Sequence, residues 1–300
     1  MKWRGARGSR NIEDRRRMSK GKTGGVGLVG ILVILVIGAV FDVDVSSLLN
    51  ATGGSSVSSS SATLSKEDKA QGEFVSATLG YTEQIWDEVF RTQVGRKYNH
   101  AVLVLYKGVT PSPCGNASGA TGPFFCPADR KVYLDTAFFT TLSRKLGAKG
   151  DFAAAYVVAH EVAHHVQNEL GTLPKANKAR QSMNKTDSNR VSVMIELQAD
   201  CYSGVWAQYA ESSLGVIEGG DIREAVNAAR QIGDDTLQRN AGSRPMPHTF
   251  THGTSEQRQK WFARGYKSGR MDQCDTFAAL KQESFIIVRQ FVIDDSTRAV

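Results

Sequence analysis

The spacing of apolar and polar positions along the chain predicts a domain with few strands and many helices. Residues 101–106 (AVLVLY) and 131–135 (KVYLD) are short apolar runs of the kind found in buried strands. Apolar side chains recur at helical spacing in six segments, which predicts helices over 74–90, 137–146, 152–170, 191–211, 222–239 and 254–267. Two short strands followed mainly by helices indicate an α+β fold in which helices dominate.

The first quarter of the chain has a different pattern. Residues 23–41 contain no charged side chain, and as a helix they would be roughly 28 Å long, close to the hydrocarbon thickness of a bilayer. They are therefore predicted to form a single transmembrane helix. A cleaved signal peptide is one alternative, disfavoured by the long polar segment before the stretch and by the lack of an A-x-A site after it. A buried core helix is another, which the basic flank disfavours.

Polar segments lie on both sides of this apolar stretch. Residues 42–73 are rich in Ser, Gly and Thr in their central part and predict a flexible tether, so the folded domain is expected to cover 74–300. Residues 1–22 carry the whole positive excess of the chain, whose formal net charge is +7. The remaining residues are neutral overall, which excludes the broad basic field of a nucleic-acid-binding protein.

The position of the basic segment predicts a membrane topology. Lys and Arg beside a transmembrane helix stay on the cytoplasmic side. We therefore expect residues 1–22 to be a cytoplasmic tail at the inner membrane and the domain to lie outside, in the periplasm.

The four cysteines test this placement, because an oxidising compartment favours paired cysteines. Cys114 and Cys126 bracket a loop rich in Gly, Pro and Ser that a disulfide can close, which leaves Cys201 to pair with Cys274. Four free, buried thiols are the alternative. Neither pair has C-x-x-C spacing, so a zinc ribbon or a thioredoxin-like function lacks support.

The clearest chemical motif is H-E-x-x-H, formed by His160, Glu161 and His164 within an apolar helical segment. Residues four apart lie on one face of a helix, so the two imidazoles can bind the same metal ion while Glu161 reaches a water molecule beside it. With only six histidines in the chain, chance seldom produces this pattern. The motif predicts a zinc site with Glu161 as the general base.

A catalytic zinc site needs a third protein ligand and an open position for water. The metzincin extension of the motif is excluded, because Gln167 and Leu170 stand where that class has Gly and His. Glu196 and Asp200 lie one turn apart on a second predicted helix. We expect Glu196 to be the third metal ligand and Asp200 to hold a ligand histidine by its other ring nitrogen. The alternative, two solvated surface acids, is weakened by their apolar neighbours.

Together these segments resemble the bacterial "putative neutral zinc metallopeptidase" family, a membrane-anchored branch of the gluzincins. The resemblance is carried by MKWRGARGSRNIEDRR before the apolar stretch, and by PFFCPADRKVYLD, HEVAHHVQ, ELQADCYSGVW and THGTSEQR. It implies a zincin-like fold, one catalytic Zn²⁺ and hydrolysis of peptide bonds in a protein or peptide substrate. It implies no particular substrate.

The negative charge that develops on the substrate needs a hydrogen-bond donor from outside the two metal-binding helices. The loop Thr251-His252-Gly253 is similar to a T-H-P loop with a downstream Arg in anchored gluzincins, although Gly253 replaces the usual Pro. We expect His252 to be the oxyanion donor and Arg258 to fix this loop against the site. A membrane-anchored zinc-binding scaffold that docks envelope proteins without cleaving them is the competing function. Only the peptidase needs Glu161 and an open metal position.

Overall fold

The computed structural model describes residues 1–17, 64–118 and 121–278. The predicted transmembrane helix at 23–41 and most of the predicted tether lie outside these ranges. Within the described residues, no helix is both long enough and apolar enough to span a membrane. The structure confirms the expected α+β class, with helices in the majority.

Strands in the described part of the chain form two sheets. They are β1 (Ile12–Asp14), β2 (Val102–Tyr106), β3 (Val109–Ser112), β4 (Gly115–Ser118), β5 (Phe124–Cys126) and β6 (Lys131–Asp135). The larger sheet has the order β1-β2-β6-β5, in which β1, β2 and β6 are parallel and β5 is antiparallel to β6. β3 and β4 form a separate hairpin. β2 and β6 are almost entirely buried, as expected of central parallel strands, and they match the two predicted strands closely.

Helices form most of the rest of the described domain. They are α1 (Lys66–Val89), α2 (Ala137–Thr140), α3 (Asp151–Glu169), α4 (Thr172–Arg180), α5 (Lys185–Ser212), α6 (Asp221–Gln231), α7 (Asp234–Asn240) and α8 (Ser255–Ser268). α3 packs against α1, α5, α6 and the sheet, and its residues 152–167 are all buried. Its apolar sequence suits this central position, and α3 therefore carries the H-E-x-x-H motif into the interior.

Among the helix boundaries that differ from those predicted, two change the organisation of the chain. α1 begins eight residues before the expected start of the domain at residue 74, because Ser65 and Asp68 form a capping box in which each side chain accepts a hydrogen bond from the other residue's backbone N–H. The predicted tether therefore ends before residue 73. The predicted helix 222–239 is instead two helices, α6 and α7, separated at Gly233, whose backbone lies against Ser255.

α5 and α8 cross at close range. Gly204 on α5 faces the backbone of α8 at Phe262, and Gly265 on α8 faces the backbone of α5 at Cys201. A Cβ atom at either glycine would overlap the backbone of the other helix, so the close approach depends on the absence of a side chain at both positions. The crossing brings the start of α8 beside the middle of α5.

Both predicted disulfides are present. Cys114 is bonded to Cys126 near the hairpin, and Cys201 on α5 is bonded to Cys274 in the 3₁₀ turn that follows α8. No cysteine is free in the described residues, which include all four. The alternative of four free thiols is therefore wrong.

Residues 1–17, which we call the amino-terminal strap, are part of the domain. β1 lies at the edge of the sheet beside β2, Met1 is buried in the core, and Trp3 and Ile12 pack against it. This differs from the expected separate tail at 1–22. The prediction of a tail followed from the many basic side chains of this segment. The position of the segment is instead set by its few apolar side chains, which leave water when they pack against the core.

Candidate metal centre and active site

α3 and α5 bring together three side chains that can bind a metal ion, in what we call the metal centre. His160 and His164 lie one turn apart on α3, and Glu196 faces them from α5. Nε2 of His160 is 3.0 Å from Oε2 of Glu196, and Nε2 of His164 is 3.4 Å from Oε1. One ligand atom from each residue lies within 4.8 Å of the other two. These are the three residues expected from the sequence to be the metal ligands.

The chemistry of this donor set fits zinc. Two imidazole nitrogens and one carboxylate oxygen are typical ligands of a catalytic zinc site that keeps one position open. Burial opposes the charge on Glu196, but His164 and His160 hold its pKa well below the usual range, so the carboxylate is ionised. Burial also opposes protonation of His160, yet Asp200 and Glu196 raise its pKa to about 10. Zinc would have to displace that proton, because metals bind neutral imidazole.

Glu161 lies on α3 beside these histidines. Glu161 is almost fully buried, with 9 % of its surface exposed. Burial raises the pKa of its carboxyl group, and the neighbouring His164 and His160 partly offset that rise. A carboxylate with a raised pKa is a stronger proton acceptor near neutral pH, which suits the general-base role expected of Glu161.

Asp200 is the centre of a buried network behind His160. Its Oδ1 is 3.0 Å from Nδ1 of His160, the ring nitrogen on the other side from Glu196. Arg258 donates to both carboxylate oxygens, at 2.8 Å and 3.0 Å, and the Tyr156 hydroxyl donates to Oδ1 at 2.5 Å. Burial opposes the charge on Asp200, but Arg258 and His160 lower its pKa. Asp200 therefore lies where the sequence places it, next to a ligand histidine.

His164 has a corresponding partner in Gln167. Oε1 of Gln167 is 2.9 Å from Nδ1 of His164. Nε2 of the same side chain donates to the Ile195 carbonyl at 2.8 Å and to Gln198 at 3.1 Å, both on α5. Because these two acceptors fix the amide nitrogen, the amide oxygen has to face His164. Gln167 thus orients the imidazole and ties α3 to the residue that precedes Glu196.

His252 lies in the loop between the 3₁₀ turn Pro247–Thr249 and α8. Its Nδ1 is 3.1 Å from Oδ1 of Asp234, the first residue of α7. Oδ2 of Asp234 accepts hydrogen bonds from the backbone N–H groups of Thr251, His252 and Gly253, at 2.7, 2.6 and 3.0 Å. One carboxylate therefore holds both the loop and the imidazole ring.

The same loop lies against the metal centre. Its backbone packs on Val193 and Leu197, which are on either side of Glu196 on α5. The His252 side chain is 48 % exposed. Burial opposes its protonation, but Asp234 and Glu196 raise its pKa. The loop thus brings a half-exposed, readily protonated imidazole close to the metal ligands.

Arg258 has a different contact from the one expected. The sequence assigns it the task of fixing the 251–253 loop. In the structure it is buried, and its guanidinium group donates to Asp200, Tyr156 and the Ile232 carbonyl. Asp234 holds the loop instead. Arg258 acts on the site through the carboxylate beside His160, so its expected contact is wrong although its location near the site is not.

Three residues of this site have no role in the prediction from sequence. Tyr156 and Gln167 lie on α3, four residues before His160 and three after His164, and this helical spacing could have identified them. Asp234 lies far from His252 in sequence, on a helix that was predicted as the end of a longer one. No local pattern in the sequence indicates its contact.

These features match a metal centre of the zinc peptidase type, in which two histidines and a glutamate can serve as ligands and a second glutamate lies beside them. Residues 1–277 match the family described as "Putative neutral zinc metallopeptidase", and the chain belongs to this family. The family implies zinc as the cofactor.

The chain is also similar to curated proteins that are described as uncharacterized. The chain is 44 % identical over 286 residues to the uncharacterized protein YpfJ of Escherichia coli K12, an alignment that covers 92 % of this chain and 99 % of YpfJ. It is also 44 % identical over 192 residues to the uncharacterized protein Rv2575 of Mycobacterium tuberculosis H37Rv, covering 61 % and 64 % of the two chains. No solved structure matches the chain.

Proposed function

We propose that the protein is a metalloendopeptidase with one zinc ion and a zincin-like site that hydrolyses peptide bonds in proteins or peptides of the cell envelope. The observation that carries this proposal is the convergence of His160, His164 and Glu196 in one cluster, with Glu161 buried on the same helix. Three protein ligands leave a coordination position open, as catalysis requires. Membership of a zinc metallopeptidase family supports the same class of activity.

The residues of the site have distinct tasks in this reaction. Zinc bound by the three ligands would supply a water molecule of lowered pKa and polarise the scissile carbonyl. Glu161 accepts the proton of that water and passes it to the leaving amine, and its raised pKa suits both transfers. His252 donates a hydrogen bond to the carbonyl oxygen as negative charge develops there.

The polar group on the far side of each imidazole sets which ring nitrogen is free to act. Asp200 and Gln167 lie beside Nδ1 of His160 and His164, which leaves Nε2 of both rings for the metal. Asp234 accepts from Nδ1 of His252, so Nε2 can donate only when this ring is protonated. The raised pKa of His252 favours that state.

We place the domain in the periplasm, attached to the inner membrane through the apolar stretch 23–41. Two disulfides support an oxidising compartment. A cytoplasmic position for residues 1–22 is not part of this proposal, because the strap packs on the domain.

Incubation of the purified, zinc-loaded protein with an envelope proteome tests the proposal. The wild-type protein should generate new amino termini, detected by mass spectrometry. Glu161→Gln should generate none while keeping about one zinc per chain, because Glu161 moves a proton and does not bind the metal. Glu169→Gln, at the end of the same helix and outside the site, is the matched control and should remain active. If the fully zinc-loaded wild-type protein generates no new termini, the protein is not a peptidase, and the anchored zinc-binding scaffold is favoured.

A further inference from the structure

The amino-terminal strap is joined to the sheet through its backbone. β1 pairs in parallel with β2, with Ile12 opposite Leu103. The Leu103 N–H donates to the Asn11 carbonyl at 2.9 Å, and the Arg15 N–H donates to the Leu105 carbonyl at 2.7 Å. β2 is a buried strand, and without the strap these backbone groups of β2 would lose their hydrogen-bond partners.

The first residue of the strap lies in a group of carboxylates, Asp151, Glu218 and Asp221, which we call the strap pocket. The Met1 amino group is 2.9 Å from Asp151, 2.9 Å from Glu218 and 3.0 Å from Asp221. Nε1 of Trp3 donates to the second oxygen of Asp151 at 2.9 Å. Asp151 is the first residue of α3, so the strap is bound to the helix that carries the H-E-x-x-H motif.

Two glycines show how closely the strap lies on α1. A Cβ atom at Gly80 would be 2.8 Å from the Arg7 carbonyl oxygen, and one at Gly8 would be 3.2 Å from the Cβ atom of Ser76. The Ser9 N–H also donates to the Ser76 carbonyl at 2.9 Å. These contacts require two backbones that fit each other, so the strap is seated on the domain along its whole length.

We propose that the strap is a permanent part of the domain and lies on the same side of the membrane as the metal centre. A segment that crosses a membrane once places its two ends on opposite sides, which would remove β1 from the sheet. Arg17 and Leu64, the described residues on either side of the apolar stretch, line the same surface cleft. The two described segments therefore end and resume at the same face of the domain.

This arrangement reverses the topology that the charge pattern predicts. Basic residues beside an apolar segment usually remain in the cytoplasm, opposite an exported domain. In this protein, a cytoplasmic position of the strap would remove β1 from the sheet and would expose Met1, Trp3 and Ile12 to water. The basic side chains Lys2, Arg4, Arg7, Arg10 and Arg17 are instead exposed on the surface of the domain itself.

Cysteine labelling of the full chain in intact cells tests the side on which the strap lies. All native cysteines are paired, so Arg10→Cys and Lys178→Cys each introduce one reactive thiol, the first in the strap and the second on the exposed face of α4. With a membrane-impermeant maleimide on spheroplasts, both variants should react to the same extent, relative to lysed cells. Reaction of Lys178→Cys alone, with Arg10→Cys reacting only after lysis, would overturn the proposal.

A designed disulfide gives a second readout of docking in the membrane-bound chain. The 3.2 Å between the Cβ positions of residues 8 and 76 is close to the roughly 3.5–4.5 Å that disulfides adopt. Gly8→Cys combined with Ser76→Cys should form a third disulfide under mild oxidation, identified by unreduced peptide mapping. Gly5→Cys with Ser76→Cys should not, because no atom lies within 4 Å of a Cβ at Gly5. Failure of the first pair to cross-link, in a chain whose two native disulfides have formed, would contradict the docked strap.

Discussion

The strap pocket and the metal centre each include at least one residue of α3, but they differ in composition and burial. The strap pocket contains only carboxylates and is partly open to water, with Asp151 39 % and Glu218 53 % exposed. The Met1 amino group already forms ion pairs with all three of its carboxylates. The metal centre joins two imidazoles to one carboxylate and is more deeply buried, with Glu196 18 % exposed.

This difference shows that a cluster of acids does not by itself identify a metal site. Asp151, Asp221 and Glu224 also have oxygen atoms within 4.8 Å of one another, as the metal ligands do. Carboxylate oxygens suit an ammonium group or a hard cation, whereas imidazole nitrogens suit zinc. The two histidines, and their partners behind the rings, are what separate the metal centre from the strap pocket.

Zinc content should give the largest difference between the two clusters. His164→Ala is expected to lose bound zinc, because two remaining ligands do not hold the ion. Asp221→Asn should keep about one zinc per chain, because the strap pocket does not bind the metal. Elemental analysis after gel filtration measures both. Loss of zinc from a folded Asp221→Asn variant would show that the two clusters are not independent.

The next largest effect concerns turnover at unchanged zinc content. His252→Ala should lower kcat by about 100- to 1000-fold, the usual cost of removing one oxyanion donor. Asp234→Asn should cause a smaller loss and should shift the alkaline limit of activity to lower pH, since the carboxylate raises the pKa of His252. The control is His248, an exposed residue in the preceding turn, and His248→Ala should lower kcat only slightly. If His252→Ala instead removes zinc, His252 is a ligand or a structural residue.

Partners behind the ligand histidines should have a graded effect on zinc affinity. Asp200→Asn is expected to weaken zinc binding by about 10- to 100-fold without abolishing it. Gln167→Met should weaken it by a similar or smaller factor, because His164 then loses its acceptor, and the exposed Gln181→Met should have no effect. Competition with a zinc-binding dye measures the affinities. Unchanged affinity in Asp200→Asn would remove Asp200 from the site.

The smallest effect is a pH dependence of stability that comes from the strap pocket. Burial opposes the charge on the Met1 amino group, but Glu218, Asp151 and Asp221 raise its pKa from 8.0 to about 10. A group whose pKa is higher in the folded state stabilises it fully below the unfolded pKa, so this contribution is lost as the pH rises from about 8 to above 10. A rise of about two in pKa corresponds to about 2.7 kcal/mol, which the exposure of the carboxylates reduces to about 1 kcal/mol.

Urea unfolding at pH 7 and pH 10 measures this contribution. The free energy of unfolding should fall more in the wild-type protein than in Asp221→Asn, because the variant has already lost part of the pocket. An equal fall in both proteins would show that Asp221 does not raise the pKa of the Met1 amino group.

The cluster of His160, His164 and Glu196 could be predicted because most of its geometry is local. His160, Glu161 and His164 belong to one helix, and helical spacing alone puts the two imidazoles on one face. Glu196 required one further assumption, that a second apolar helix packs against the first. The predominance of helices and the two central strands, β2 and β6, could likewise be predicted from the spacing of apolar residues.

The contacts that hold the site could not be predicted, because they join elements that are distant in sequence. Asp234 reaches His252 only because α6 ends at Gln231 and a new helix, α7, begins at Asp234 beside the loop. The strap was misjudged for a related reason. Its charges predict a tail, but three apolar residues and a backbone ladder with β2 decide where it lies.

The glycine crossing of α5 and α8 has a consequence for anyone who engineers this protein. Substitutions of Gly204 or Gly265 would push the two helices apart, although neither residue touches the metal ligands. The separation would move Arg258 away from Asp200, and the carboxylate beside His160 would lose the guanidinium group that holds it in place. A library aimed at altered specificity should therefore vary the exposed surface around His252 and keep both glycines unchanged.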